Sequence, residues 1–261
     1  MTRLDVWLAD HGLAESREKA QALVMAGRVK MNGERASKPG TRVREGAEVS
    51  DDPGPAHVGR GALKLAGALD AFAIDVRGRV AVDVGASTGG FTETLLARGA
   101  TRVYAVDVGR GQLHERLRTD PRVVVRDRTN AREISPETVP EPCGTASVDV
   151  SFISTRLILP ALRTVLAKGA DVVVLVKPQF EVGRGQVGRG GIVREPELHS
   201  QALRDVATAA QEASGYAVRG TCASPITGAE GNREFFLHLA PEGAPLARDR
   251  IEGLVRKAVE G

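Results

Sequence analysis

Three residues with acid–base chemistry stand at the ends of apolar runs, and a fourth lies in a helical segment before them. Asp149 follows the run in "SVDVSFIS", Lys177 closes "VVVLVKPQF", Glu234 opens "NREFFLHLA", and Lys64 lies in "GALKLAGALDAF". If the runs are strands of an open α/β sheet, Asp149 and Lys177 share one crevice at the strand ends. Glu234 reaches the same edge if its strand runs antiparallel, and Lys64 reaches over from the helix before the sheet. Together they could bind, orient and deprotonate a hydroxyl group. Burial and a second cation favour a neutral amine, whereas neighbouring carboxylates favour the ammonium. The sequence leaves that balance open. A lysine at a strand end is ordinarily surface decoration. The apolar run before Lys177 and the "KPQFE" segment after it argue for a place in the crevice.

A glycine-rich turn, "VAVDVGASTGGFTE" at 80–93, supplies a second constellation. A dinucleotide turn needs glycine at its middle position so that a pyrophosphate can approach the backbone. Here the register is Gly85, Ser87, Gly90, with a side chain in the middle. Open backbone amides at the start of a helix, beside the Ser87 and Thr88 hydroxyls, suit a ligand with a small carboxylate and no diphosphate. S-adenosylmethionine is such a ligand. Asp83 could face its ammonium group, and Ala86, Gly89 and Phe91 complete the candidate turn. Asp107, with Val108 after it, ends the next strand and could accept both ribose hydroxyls; alternatively it caps a helix over "GRGQLHERL". Asp127, with Arg128, ends the third strand where an adenine amino group is expected; alternatively it is a surface acid. Asp149 belongs to this cofactor set as well.

These groups need a scaffold. Hydrophobic residues make up 42% of the 261, enough for a sizeable core and too many for wholesale disorder. Strand-like runs alternate with helical segments from residue 62 onward, and "VVVLV" without alternation suits a sheet buried on both faces. The expectation is a doubly wound, mostly parallel α/β sheet. "YAVRGTCASP" and "NREFFLHLA" are read as a hairpin that closes it with an antiparallel last strand. "RDRIEGLVRKAVE" reads as an amphipathic helix. The glycine-rich stretch 178–197 reads as one long functional loop.

Residues 1–50 read as a separate small α+β domain. Leu4, Trp7 and Leu8 suit one helix. A second runs from an N-cap at Ser16 through Ala20, Leu23 and Val24 to a stop at Gly27. Asn32-Gly33 signals a tight hairpin turn, and "TRVREGAEVS" supplies another strand. Arg3, Arg17, Lys19, Arg28, Lys30, Arg35 and Lys38 stud this domain, either as a solvated surface or as a face for phosphates. Residues 51–60 read as a linker, and 61–261 as the second domain. A net charge of +3 permits a nucleic-acid partner without requiring one. There is no apolar run of about 18 residues, so no membrane span is expected. No signal peptide is expected either. Cys143 and Cys222 lack zinc or disulfide spacing, and no metal is expected. A cytoplasmic protein fits these features.

The motifs "GRGALKL", "DVGASTGGFTE", "VDVGRGQL", "RTNAR", "DVSFIS", "LVKPQFEVGRGQVGRGGIV" and "GNREFF" closely resemble the TlyA family. These are bacterial ribose 2′-O-methyltransferases, often labelled hemolysins. The resemblance spans nearly the whole chain. It implies an FtsJ-like, S-adenosylmethionine-dependent catalytic domain and an N-terminal S-four-type RNA-binding domain. It implies a Lys-Asp-Lys-Glu tetrad at Lys64, Asp149, Lys177 and Glu234, with Lys177 as general base. The implied substrates are cytidine 2′-hydroxyls of ribosomal RNA in ribosomal subunits. Gly59, Asp127 and Gly144 depart from the family pattern, which usually has Ser, Glu and Asp there. Three other readings are an RNA-binding protein with an inactive methyltransferase fold, an NAD-dependent oxidoreductase, and a membrane-active hemolysin.

Overall fold

The computed structural model describes residues 2–25, 29–36, 38–51, 57–228 and 231–261, with only the backbone of Arg35, Asp51 and Arg184. It forms two compact units, Met1–Ala56 and His57–Gly261.

In the first unit, helices α1 (Leu4–Asp10) and α2 (Arg17–Met25) bury Leu4, Leu8, Ala20 and Val24 in one core, with Trp7 and Leu23 packed against it. The Ser16 hydroxyl accepts the Lys19 amide at 3.2 Å, which satisfies one of the orphan donors at the start of α2. The expected stop at Gly27 and the candidate Arg28 lie outside the described residues. Strands β2 (Val29–Met31) and β3 (Glu34–Arg35) pair antiparallel across Asn32 and Gly33, whose φ values of 52° and 82° are those a two-residue primed turn demands. "TRVREGAEVS" holds two strands rather than one, because a turn at Glu45–Gly46 breaks it. Of these, β4 (Arg42–Val43) pairs with β1 (Thr2–Arg3), and β5 (Val49–Asp51) pairs with β2.

The second unit opens with helix α3 (Gly61–Ala71) and then alternates strand and helix: β6 (Val80–Val84), α4 (Gly90–Ala97), β7 (Arg102–Val106), α5 (Glu115–Arg118), β8 (Val123–Arg126), β9 (Cys143–Val148), α6 (Leu159–Arg163), β10 (Leu166–Val176). It continues through α7 (Pro178–Glu181), α8 (Pro196–Glu212), β11 (Ala217–Ala223), β12 (Phe235–Ala240) and α9 (Arg248–Glu260). The seven strands form one sheet in the order β11-β12-β10-β9-β6-β7-β8. Strand β12 is antiparallel to both neighbours; β10, β9, β6, β7 and β8 are mutually parallel. The hairpin therefore closes this side as expected, but the last strand lies inside the edge and β11 forms it.

Side-chain alternation sends Val172, Val174 and Val176 to one core and Val173 and Leu175 to the other, so the run "VVVLV" is buried on both faces. Strand order reverses between β6 and β9, which places the ligand crevice at the ends of those two strands. The stretch 178–197 is not one loop. It contains α7, 3-10 turns at Arg184–Gln186 and Arg189–Gly191, and the start of α8, where Pro196 occupies a first-turn position that needs no amide donor. Helix α9 buries Ile251, Val255, Ala258 and Val259. Among the described residues no helix is long and apolar enough to cross a membrane.

Candidate active site

The turn after β6 folds on itself more tightly than its sequence suggests. The Gly85 and Ala86 amides donate to the Val106 carbonyl at 2.8 and 3.1 Å, and the Gly89 amide donates to Ala86 at 2.8 Å. Ser87, at φ 48°, donates its amide to Asp107 Oδ2 at 2.8 Å. These four amides, expected to be open to a ligand, are thus satisfied within the protein. Gly85 is required for two reasons: its φ is 84°, and a Cβ there would collide with the carbonyl oxygen of Asp149.

A cavity of about 550 Å³ lies beside this turn, within the size range of small-molecule sites. Gly85, Ser87, Asp107, Val108 and Asp149, all candidates from the sequence, line it. Asp107 Oδ1 also accepts the Gly109 amide at 2.7 Å. No helix starts at Gly109; the next, α5, is capped by His114, so Asp107 is not a helix cap. With one amide on each oxygen, its carboxylate still has lone pairs for two ribose hydroxyls. The free lone pairs of this carboxylate and the cavity size fit S-adenosylmethionine.

Other turn candidates lie elsewhere. Asp83 has no exposed surface, and its carboxylate accepts the Thr92 and Ser147 hydroxyls at 2.7 and 2.9 Å. It braces α4 against β9 instead of facing a ligand. Burial pushes its pKa up to about 7; the two hydroxyl donors oppose that shift. Ala86 and Phe91 belong to the apolar core below the turn. Thr88, Gly89 and Gly90 do not line the cavity, and Gly89 and Gly90 pack closely on Leu117 and Ala62. Asp127 is also outside the wall: its carboxylate accepts the Gly111 amide at 3.0 Å and Arg118 at 3.3 Å. The Gly111 amide holds it below the usual carboxylate range. Arg128, at φ 56°, is exposed and outside the wall too.

A second cavity, about 430 Å³, is lined by Lys64, Lys177 and Glu234 and shares Ser151 and Phe152 with the first. The four acid–base candidates form two ion pairs. Lys64 Nζ stands 2.5 Å from Glu234 Oε2, and Lys177 Nζ stands 2.6 Å from Asp149 Oδ1. Both lysines are only 8% exposed, which rules out the surface-decoration reading. Lys177 also donates to Ser151 Oγ at 3.0 Å. Asp149 faces the first cavity and its partner lysine faces the second. The pair therefore bridges the two cavities.

Sequence reasoning missed Ser151 and Phe152 as wall residues, although they lie in the quoted "DVSFIS". Phe152 is 91% exposed, sits at φ 65°, and its ring lies 5.1 Å from that of Phe180. A bulky residue in that region, left in solvent, is the detectable signal, and only the backbone shows it. Gln112, Asn130 and Arg132 were missed as well.

In the first unit, the basic candidates are partly engaged. Arg3 and Arg17 both bond the buried carboxylate of Asp5, at 2.9 and 3.1 Å, which these partners hold well below the usual carboxylate range. Lys19 pairs with Glu15, and Lys38 is exposed. Lys30 is half-buried.

Two family models match the chain: an FtsJ-like methyltransferase over residues 57–240 and an S4 domain over residues 2–49. A Mycobacterium tuberculosis protein named 16S/23S rRNA (cytidine-2′-O)-methyltransferase TlyA is 49% identical over 98% of this chain and 97% of its own length. A Bacillus subtilis protein, YqxC, described as a candidate rRNA methyltransferase, is 47% identical over 98% of this chain and 93% of its own. A solved structure of a candidate hemolysin from Streptococcus thermophilus superposes with a TM-score of 0.73 at 44% identity, covering 99% of this chain and 96% of that one.

Proposed function

The chain belongs to the FtsJ-like methyltransferase family, in its TlyA branch with an N-terminal S4 domain, and from that premise we propose that it methylates ribose 2′-hydroxyls of ribosomal RNA with S-adenosylmethionine as donor. The observation that carries this reading is the Lys177–Asp149 pair, which joins the Asp107 cavity to the Lys64–Glu234 cavity. Asp107 holds the adenosine ribose, and Gly85 and Ser87 form the wall beside it. The bound donor supplies a methyl group already made electrophilic by its sulfonium.

The chain's own residues then handle the acceptor. Lys177, once it has given its ammonium proton to solvent, would accept the proton from O2′ as that oxygen bonds to the methyl carbon, while the electrons of the broken methyl–sulfur bond stay on sulfur as a neutral thioether. Asp149 and Ser151 fix the position of Nζ before the reaction, which removes the cost of orienting it. Glu234 holds Lys64 across the same cavity, where its ammonium can steady the ribose oxygens. The exposed ring of Phe152 offers a stacking face for the nucleobase of an unpaired target. The proposed phosphate contacts of the S4 domain are those of Arg3, Arg17, Lys19, Lys30 and Lys38, together with Arg28 and Arg35 as candidates from the sequence.

The finer reading is that the substrate is a cytidine within ribosomal subunits in the cytoplasm. Incubating the protein with tritiated S-adenosylmethionine and isolated subunits, then mapping the label, tests it. Incorporation as 2′-O-methylcytidine is expected; no incorporation into either subunit would overturn it.

A further inference from the structure

Glu181 lines neither cavity, yet it is only 6% exposed and ends the four-residue helix that follows Lys177. All of its carboxylate bonds go to one short segment after Asp149. Oε2 accepts the Ser154 hydroxyl at 2.5 Å, and Oε1 accepts both the Thr155 amide and the Thr155 hydroxyl at 2.8 Å. Arg156 Nε stands 3.5 Å from Oε2. The 3-10 turn Thr155–Leu157 has its own cap, since Ser154 accepts the Arg156 amide. Glu181 takes the Thr155 amide, which that cap leaves over, and both hydroxyls beside it.

Two stretches of chain are thus stitched together twice. Lys177–Asp149 joins them at one end, and Glu181 joins them to Ser154 and Thr155 at the other. Ser151 and Phe152, the residues shared by both cavities, lie between the stitches. The Phe152 backbone, at φ 65°, is a conformation that persists only where its surroundings over-determine it. A buried carboxylate with this many donors is such a constraint.

We propose that Glu181 is a positioning residue of the methyl-transfer site, whose carboxylate holds segment 149–156 so that Asp149, Ser151 and Phe152 face the two cavities together. The proposal rests on the functional reading above. Its test compares the full-length protein with Glu181→Ala, Glu181→Gln and the opposite-side variant Ser154→Ala/Thr155→Val. Two readouts are followed: kcat and KM for rRNA methylation, and hydrogen exchange of the free protein.

In Glu181→Ala, kcat is expected to fall by about tenfold or more with little change in KM, the signature of misplaced groups. Amides at 150–156 should exchange about tenfold faster while β6 and β9 keep their protection. Glu181→Gln retains an oxygen for Thr155 and should recover most of kcat. The opposite-side variant keeps the Thr155 amide bond and loses the Ser154 cap, so it should shift kcat and exchange in the same direction as Glu181→Ala, and combining the two should cost less than the sum of the two effects. Unchanged kcat and exchange in Glu181→Ala would overturn the proposal. So would faster exchange throughout the sheet, which would make Glu181 a general stabiliser. Should the wild-type protein methylate no rRNA, the functional reading fails, and exchange at 150–156 still decides whether Glu181 holds the segment.

Discussion

Lys177 Nζ and Asp149 Oδ1 meet at 2.6 Å across the ends of two adjacent parallel strands, β10 and β9. The lysine faces the cavity that holds Lys64 and Glu234, and the aspartate faces the cavity that holds Asp107. Replacing Lys177 with Ala should reduce methyl transfer by about 10²–10⁴-fold, the range for a lost general base, and leave S-adenosylmethionine affinity within a few fold. Lys177→Arg keeps the charge and cannot release a proton, so it should be as inactive. Single-turnover rates beside calorimetric binding check both. An active arginine variant would make the role purely electrostatic.

Asp107 gathers the Ser87 and Gly109 amides and presents its remaining lone pairs to the cavity. Asp107→Ala should weaken S-adenosylmethionine binding by about 1–3 kcal/mol, the scale of lost charge-assisted hydrogen bonds. Isothermal calorimetry reads this directly. Unchanged affinity would confine Asp107 to shaping the turn.

Burial raises the Asp83 pKa to about 7, above the ordinary carboxylate value of 3.8. The native state therefore holds this proton more tightly than the unfolded chain does. Its stabilising contribution is complete below about pH 4 and is lost as pH rises through about 7. Asp83→Asn removes the ionisation, so the variant should gain on the wild type across that window. Urea unfolding of both proteins from pH 4 to 8 measures the difference. Parallel curves would show that Asp83 does not titrate there.

Gly85→Ala places a methyl group against the Asp149 carbonyl at a φ of 84°. The left-handed backbone alone costs on the order of 1–3 kcal/mol for a residue with a side chain. The collision adds to it. A lower melting temperature together with weaker S-adenosylmethionine binding is expected. A variant with wild-type behaviour in both would mean that the turn can shift away from β9.

Binding to rRNA should weaken steeply with salt, since each phosphate contact contributes a slope of about 0.7–0.9 in log affinity against log salt. Lys38→Glu, at an exposed position of the S4 domain, should lower affinity and flatten the slope without altering S-adenosylmethionine binding. Filter binding over a salt series tests this. A slope unchanged from the wild type would remove Lys38 from the interface.

Much of this site is legible in the chain because strand periodicity is local. An unbroken run such as "VVVLV" must be buried on both faces, so the residue that ends it, Lys177, has to emerge at the strand ends where the crevice lies. Ser87 in the middle of the glycine register likewise disfavours close approach of a pyrophosphate by its own volume. Asp107 and Asp149 follow from the same reading of strand ends. What sequence could not settle is how each polar group is used once neighbours from distant segments arrive. Asp83 looks like a ligand contact until Thr92 and Ser147 close over it. Asp127 looks equally available until Gly111 and Arg118 take its oxygens. The pairing of Lys64 with Glu234, 170 positions apart, and the stitching of Thr155 by Glu181 depend on sheet order. Hydrophobic periodicity fixes which residues reach an edge. Only the packed sheet decides which of them meet, because a carboxylate's role is set by the donors that tertiary contacts bring within hydrogen-bonding distance.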